Sequence, residues 1–205
     1  MNKMLALDIE TTNYSHEIGG WDKTPLFEPS VVATWDGDQG TVYCKKTEEL
    51  KGHLPDNVTI KKLHPRTLGE DLMSHIEKGG MLLGHNIRRF DLPILKDSLD
   101  CWTASDILFK GADTIFDTSI ILRSVIGHAI PLSDCVKHTL GRDKLMNSHD
   151  APLEWRKGQY GSVAKYCLDD AKLVHDLWAH GKDEGFIKAR SRETGEVIEY
   201  EVDWK

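Results

Sequence analysis

Two carboxylates separated by one residue, Asp8 and Glu10, close the short apolar run Met4-Leu5-Ala6-Leu7-Asp8-Ile9-Glu10. On a strand, alternate side chains share a face, so the pair would lie about 7 Å apart on one side while Leu7 and Ile9 point to the other. Like charges so placed call for cations, although a polar strand end entering a loop is the plainer alternative. A third carboxylate, Asp91, stands in Gly84-His85-Asn86-Ile87-Arg88-Arg89-Phe90-Asp91-Leu92-Pro93, where an apolar run gives way to a helical pattern. Strand-end loops of this kind favour ligand sites. Asp91 could equally cap the helix that Leu92 and Pro93 begin, but capping leaves Asn86 and Phe90 unexplained. His85 has no second histidine at ligand spacing and reads as structural.

The fourth carboxylate comes from Lys165-Tyr166-Cys167-Leu168-Asp169-Asp170-Ala171. At about 100° per residue, Val163, Cys167, Ala171, Val174, Leu177 and Trp178 form one apolar stripe, and Asp170 falls inside it. Asp169 falls to one side and is expected in solvent. A carboxylate facing a core costs several kcal/mol unless it is paired or binds metal. Tyr166, four residues earlier, shares its face. Four carboxylates can hold two hard cations about 4 Å apart, the arrangement that stabilises the attacking and leaving oxygens of a phosphodiester. Magnesium or manganese is the expected metal.

The elements that must position these residues suggest an α/β or α+β plan, with a sheet first and helices after. Val31–Trp35 and Thr41–Cys44 are β-rich runs joined by Asp36-Gly37-Asp38-Gln39-Gly40, which with residues 4–9 predicts an antiparallel meander. The region 47–63 is ambiguous. Residues 67–76 have helical spacing before Gly79-Gly80, residues 81–84 suit a buried parallel strand, and residues 91–99 suit a helix. Further helices are expected over 117–125, 132–140 and 162–181, with an irregular connection before the last. The tail, 185–190 and 197–202 about Arg192-Glu193-Thr194-Gly195, predicts a terminal β-hairpin.

The chain has 205 residues, 40% hydrophobic and 29% charged, which suits one domain. No signal-like segment or membrane-length apolar run is present, and a soluble cytoplasmic protein is expected. Cys44, Cys101, Cys135 and Cys167 form no CxxC pair, so buried reduced thiols are expected. A net charge of -7 argues against a passive duplex binder held by phosphate neutralisation, but not against an enzyme that recruits divalent cations.

In order along the chain, the motifs are D-x-E at a strand end, N-x3-F-D at a strand-helix junction and Y-x3-D on a late helix. The set resembles the DEDD family of 3′-to-5′ exonucleases, in its tyrosine-bearing DEDDy branch, from Leu7 to about Trp178. The sibling branch carries a histidine five residues before the last Asp, where this chain has Lys165. The resemblance implies an RNase H-like fold over residues 1–182, with 183–205 as a hairpin appendage. It implies two-metal phosphodiester hydrolysis with Asp8, Glu10, Asp91 and Asp170 as metal ligands and Tyr166 orienting the attacking water. Thr11, Asn86, Arg89, Phe90 and Asp117 are then candidates for substrate contact, although N-capping explains Asp117 equally well. The tail, from Tyr166-Cys167 to Val202-Asp203-Trp204, also looks like that of exonuclease-like domains that accompany helicases, so a helicase or polymerase partner is conceivable. Basic residues that could meet substrate phosphates are Arg88, Arg89, Lys137, Arg142, Lys144, Arg156 and Lys165. The expected substrate is a single-stranded 3′ end, with DNA favoured over RNA. A structure-specific endonuclease and a nucleic-acid-binding accessory module are the alternatives.

Overall fold

A computed structural model describes residues 3–204. The N-terminal apolar run forms β1 (Met4–Thr11), an inner strand of a six-stranded mixed sheet. β2 (Pro29–Trp35) and β3 (Gly40–Cys44) follow in antiparallel succession, the expected meander. The Asp36 carboxylate closes the turn between them by accepting the backbone N–H groups of Asp38 and Gln39. The ambiguous segment contains β4 (Val58–Lys62), which pairs parallel to β3 at one edge. After α1 (Pro65–Glu77), β5 (Met81–Gly84) pairs parallel to β1, and β6 (Ile115–Asp117) extends the sheet parallel to β5. The strand order is β4-β3-β2-β1-β5-β6.

Strand alternation sorts the apolar side chains into two cores, one on each face of the sheet. On one face Leu7, Ile9 and Val32 meet Leu68 of α1, Leu92 of α2 (Asp91–Asp97) and Ala104 of α3 (Trp102–Lys110). On the other, Ala6, Val31 and Ala33 meet Leu122 of α4 (Thr118–Ile126) and Cys135 of α5 (Leu132–Leu140). The same core takes Trp155 of α6 (Ala151–Arg156) and Cys167 of α7 (Tyr160–Glu184). The stretch expected to be an irregular connection thus includes α6, and α3 and β6 occupy a stretch for which the sequence predicts no element.

The tail forms the expected antiparallel hairpin, β7 (Phe186–Arg190) with β8 (Val197–Glu201). Ile187, Ala189, Val202 and Trp204 join the core beneath α7. The Trp204 ring lies so close to Gly181 that a Cβ there would stand 2.2 Å from it. All four cysteines are free and buried. Among the described residues, no helix is long and apolar enough to cross a membrane.

Candidate metal centre

Asp8 and Glu10 leave β1 on the face covered by α7, opposite to Leu7 and Ile9, which lie in the other core. The rotation of α7 over β1 is marked by Cys167, whose thiol approaches the Asp8 carbonyl at 3.4 Å. Three residues further along the same helical face, Asp170 arrives over the β1 pair. One ligand oxygen from each of Asp8, Glu10 and Asp170 can be chosen so that all lie within 4.8 Å of one another. Glu10 and Asp170 are buried, and Asp8 is partly open to the space between them.

Asp91 is the first residue of α2 and is 5% exposed. Phe90, not Asp91, holds the N-cap position, so capping does not account for Asp91. Asn86 brings the chain there through a left-handed φ of 73°, and its carbonyl accepts the backbone N–H groups of Arg89 and Phe90 at 3.1 and 3.0 Å. Asp117 holds this loop from below. Its carboxylate accepts the N–H groups of Asn86 and Arg88 at 2.9 and 3.0 Å while capping α4 through those of Ser119 and Ile120. Asp117 is 2% exposed, so this candidate for substrate contact holds the backbone that carries Asn86, Phe90 and Asp91 instead.

The charges raise one another. Burial pushes the carboxyl pKa of Asp8 well up, and repulsion from Asp170, Glu10 and Asp91 adds to it. Glu10 is raised by burial and by Asp170. Asp91 is pushed up to about 8 by burial, with the backbone N–H groups of Asp91 and Ile9 opposing and the charges of Asp117 and Asp170 adding to the rise. Burial raises Asp170 as well, although Lys144 opposes the shift. Lys144 comes from the segment between α5 and α6, and its ammonium pairs directly with Asp170 Oδ2. It also donates to the Tyr166 hydroxyl at 3.3 Å. Burial works against the Lys144 charge, but attraction to Asp170, Asp8 and Glu10 outweighs it and raises its pKa. Tyr166 is 1% exposed, and burial followed by the carboxylates lifts its hydroxyl far above the ordinary phenol range.

One cation does not satisfy the cluster. Asp8 Oδ2 and Asp170 Oδ1 are buried and accept no hydrogen bond within the protein. Orphaned anionic oxygens cost free energy, and a hard divalent cation is the partner that carboxylate oxygens at this spacing select. The residues present therefore fit magnesium or manganese.

The group forms the floor of a cleft of about 970 Å³, whose lining includes Asp8, Glu10, Thr11, Asn86, Phe90, Asp91, Lys144, Tyr166 and Asp170. Phe90 packs edge-on against Phe27 at 5.4 Å and against Trp21 at 5.6 Å, and Trp21, 63% exposed, continues this aromatic wall to the mouth. Nothing in the sequence singles out Trp21. His85 also borders the cleft, but its Nε2 faces the Ile130 carbonyl at 2.9 Å and its Nδ1 the Thr118 hydroxyl at 3.0 Å. Burial lowers its pKa to about 4, as suits a neutral structural histidine.

The remaining basic candidates lie elsewhere. Arg142 pairs with Asp176 at 2.5 Å and Asp169 at 3.8 Å, Lys137 with Asp143 at 3.1 Å, and Arg156 with Glu17 at 2.6 Å. The Arg88 guanidinium donates to the Ile115 carbonyl, and Arg89 and Lys165 are exposed outside the cleft lining. Asp169 sits off the carboxylate face beside Arg142, as the helical phase implies, but it is not in solvent as expected: its side chain is only 19% exposed, and burial raises its carboxyl pKa. No protein-family model matches the chain, and no curated protein matches its sequence.

Proposed function

We propose that this protein is a metal-dependent 3′-to-5′ exonuclease of the DEDD type on an RNase H-like fold, releasing nucleoside 5′-monophosphates from single-stranded ends. The observation that carries the reading is the convergence of Asp8 and Glu10 with Asp170, far apart in sequence, around two buried oxygens that no protein group satisfies. Asp91 stands on the wall of the same cleft. Two divalent cations held by Asp8, Glu10, Asp91 and Asp170 would supply Lewis acidity and offset the charge that develops during phosphodiester hydrolysis.

The side chains around them have separable tasks. The Tyr166 hydroxyl stays protonated at neutral pH, so it orients the attacking water by hydrogen bonding and does not act as a base. Its oxygen accepts from Lys144, and its own proton goes to the Asp170 carboxylate, the acceptor it would exchange for the water. Phe90 and Trp21 offer aromatic faces and edges to the terminal bases, a contact that tolerates any sequence. Asn86 and Thr11 line the same cleft with polar groups.

The test is hydrolysis of 3′-labelled and 5′-labelled single-stranded DNA and RNA with Mg²⁺, with Mn²⁺ and with EDTA. Mononucleotides released from the 3′ end, absent with EDTA and from Asp8→Asn, are the expected result. Oligonucleotide products would instead make the protein an endonuclease, and binding without turnover on every substrate would make it an accessory module.

A further inference from the structure

The two largest apolar side chains of α3 belong to neither core. Trp102, the first residue of the helix, is 83% exposed, and Phe109, the last but one, is 74% exposed. The inner face is ordinary, with Ala104 and Ile107 buried in the core beneath. Residues seven apart return to the same face of a helix, so the two rings stand about 10.5 Å apart along one outer stripe, with Ser105 and Asp106 between them. Phe109 is held in place, because the Lys96 ammonium of α2 lies 5.7 Å from its ring centroid. Neither ring lines the cleft. Each leaves most of an aromatic surface of about 150 to 250 Å² in water, and adjacent exposed rings mark an interaction surface.

The charges around the rings decide what covers them. Lys96 pairs with Asp97 at 2.6 Å and Lys110 with Asp106 at 2.8 Å. Both cations are already offset, so the stripe lacks the unpaired positive charge that draws a phosphate chain. An aromatic centre in a rim of balanced charge is the composition of a protein interface, where tryptophan is a favoured anchor.

The order of residues along the stripe selects the protein. It runs Asp100, Trp102, Ser105, Asp106, Phe109, Lys110: acid, aromatic, two polar residues, aromatic, base. Turned end for end, it matches itself. A two-fold axis crossing α3 between Ser105 and Asp106 sets Trp102 of each copy on Phe109 of the other, which gives two identical aromatic contacts. The same axis brings each Ser105 hydroxyl to the other copy's Asp106 and each Asp100 carboxylate to the other copy's Lys110. Asp100 is exposed and, among the described residues, has no ion-pair or hydrogen-bond partner of its own. Antiparallel helices also oppose their dipoles favourably. The rings supply about 300 to 400 Å² per copy against the roughly 800 Å² of a standard interface, which describes a weak dimer.

We infer that α3 is a dimerisation helix: two copies of this chain pair antiparallel through it, each Trp102 stacking on the other's Phe109. The cleft of each copy stays open, since the stripe is no part of its lining.

The test is sedimentation equilibrium from about 1 to 500 µM, a range that brackets a Kd of about 10 to 100 µM. The wild type should show a monomer–dimer equilibrium. Trp102→Ala and Phe109→Ala should each weaken it roughly 100-fold or more, because a substitution at a two-fold interface is felt twice. Both side chains are exposed, so neither variant should lose its fold. Lys110→Glu, which sets like charges at both ends of the interface, should weaken the dimer roughly 10-fold. An equimolar mixture of Trp102→Ala with Phe109→Ala should associate roughly 10-fold more tightly than either alone, since the mixed dimer keeps one Trp102–Phe109 contact and each pure variant keeps none. A wild type that stays monomeric across the range would overturn the inference and leave the rings to a foreign protein or a strand. Dimerisation of either alanine variant at wild-type strength would overturn it as well, and a mixture no tighter than its components would overturn the antiparallel pairing.

Discussion

Stripped of divalent cations, this protein should lose stability as pH rises from 6.5 to 8. Asp91 sets the magnitude. Its carboxyl titrates near 8 in the folded chain, against an ordinary value of 3.8. Between those values the folded state holds a proton that the unfolded state has released. The stability tied to it is complete below about pH 4 and is lost as pH climbs through 8. One such proton corresponds to about 1.4 kcal/mol per pH unit, or about 2 kcal/mol across the window. For a chain of this size that lowers the Tm by about 4 to 8 °C. Asp8, Glu10 and Asp170 are raised too and act in the same direction. His85 acts in the opposite direction, because its lowered pKa of about 4 makes stability grow with pH up to its ordinary 6.5. The window therefore begins at 6.5. Thermal unfolding in EDTA at fixed ionic strength, at pH 6.5, 7.25 and 8, measures the slope. Asp91→Asn should lessen it by the share worked out above, and Mg²⁺ at about 100 times its Kd should restore roughly 2.7 kcal/mol. A Tm that stays level or rises with pH in EDTA would refute the argument that these carboxyls are desolvated and mutually repelling.

Tyr166→Phe keeps the ring in the core and removes only the hydroxyl, so it should lower kcat roughly 10- to 1000-fold while leaving KM, Mn²⁺ affinity and fold in place; a lower Tm with kcat within twofold would mark a merely structural tyrosine. Asp117→Ala deprives four backbone N–H groups of their acceptor and should cost about 2 to 4 kcal/mol in urea unfolding, and a loss below 0.5 kcal/mol would show that the loop holds itself. Gly181→Ala drives a methyl into the Trp204 ring and should cost about 1 to 3 kcal/mol; an unchanged Tm would mean that the hairpin's end is not seated beneath α7.

What could be read from the sequence depended on regular elements. The β1–β3 meander follows from alternation and one turn, and Asp170 could be told from Asp169 because a helix of 25 residues fixes phase well. α3 escapes because its two largest apolar residues, Trp102 and Phe109, are 83% and 74% exposed, which cancels the amphipathic signal. β6 has three residues, too few for any period, and α6 has six with a proline in its first turn. β4 alternates weakly at a sheet edge, where Lys62 meets solvent and Lys61 is held half-buried by Asp71.

The same limit explains why seven basic residues could not be ranked in advance. Lys144 lies in a segment without period, and no spacing rule says where its side chain goes. Its direction comes from long-range fastenings, Arg142 to α7 and His149 to Tyr14, that exist only once the sheet has formed. Asp170 has a helical phase to announce it, while Lys144 has only the folded cleft. The carboxylates that recruit cations could thus be found from local geometry, and the cation that the chain itself supplies could not. An alkyl chain of Lys144's length, fixed at its base by those anchors, can reach Asp170 and Tyr166 together because α7 presents them one turn apart on the same face.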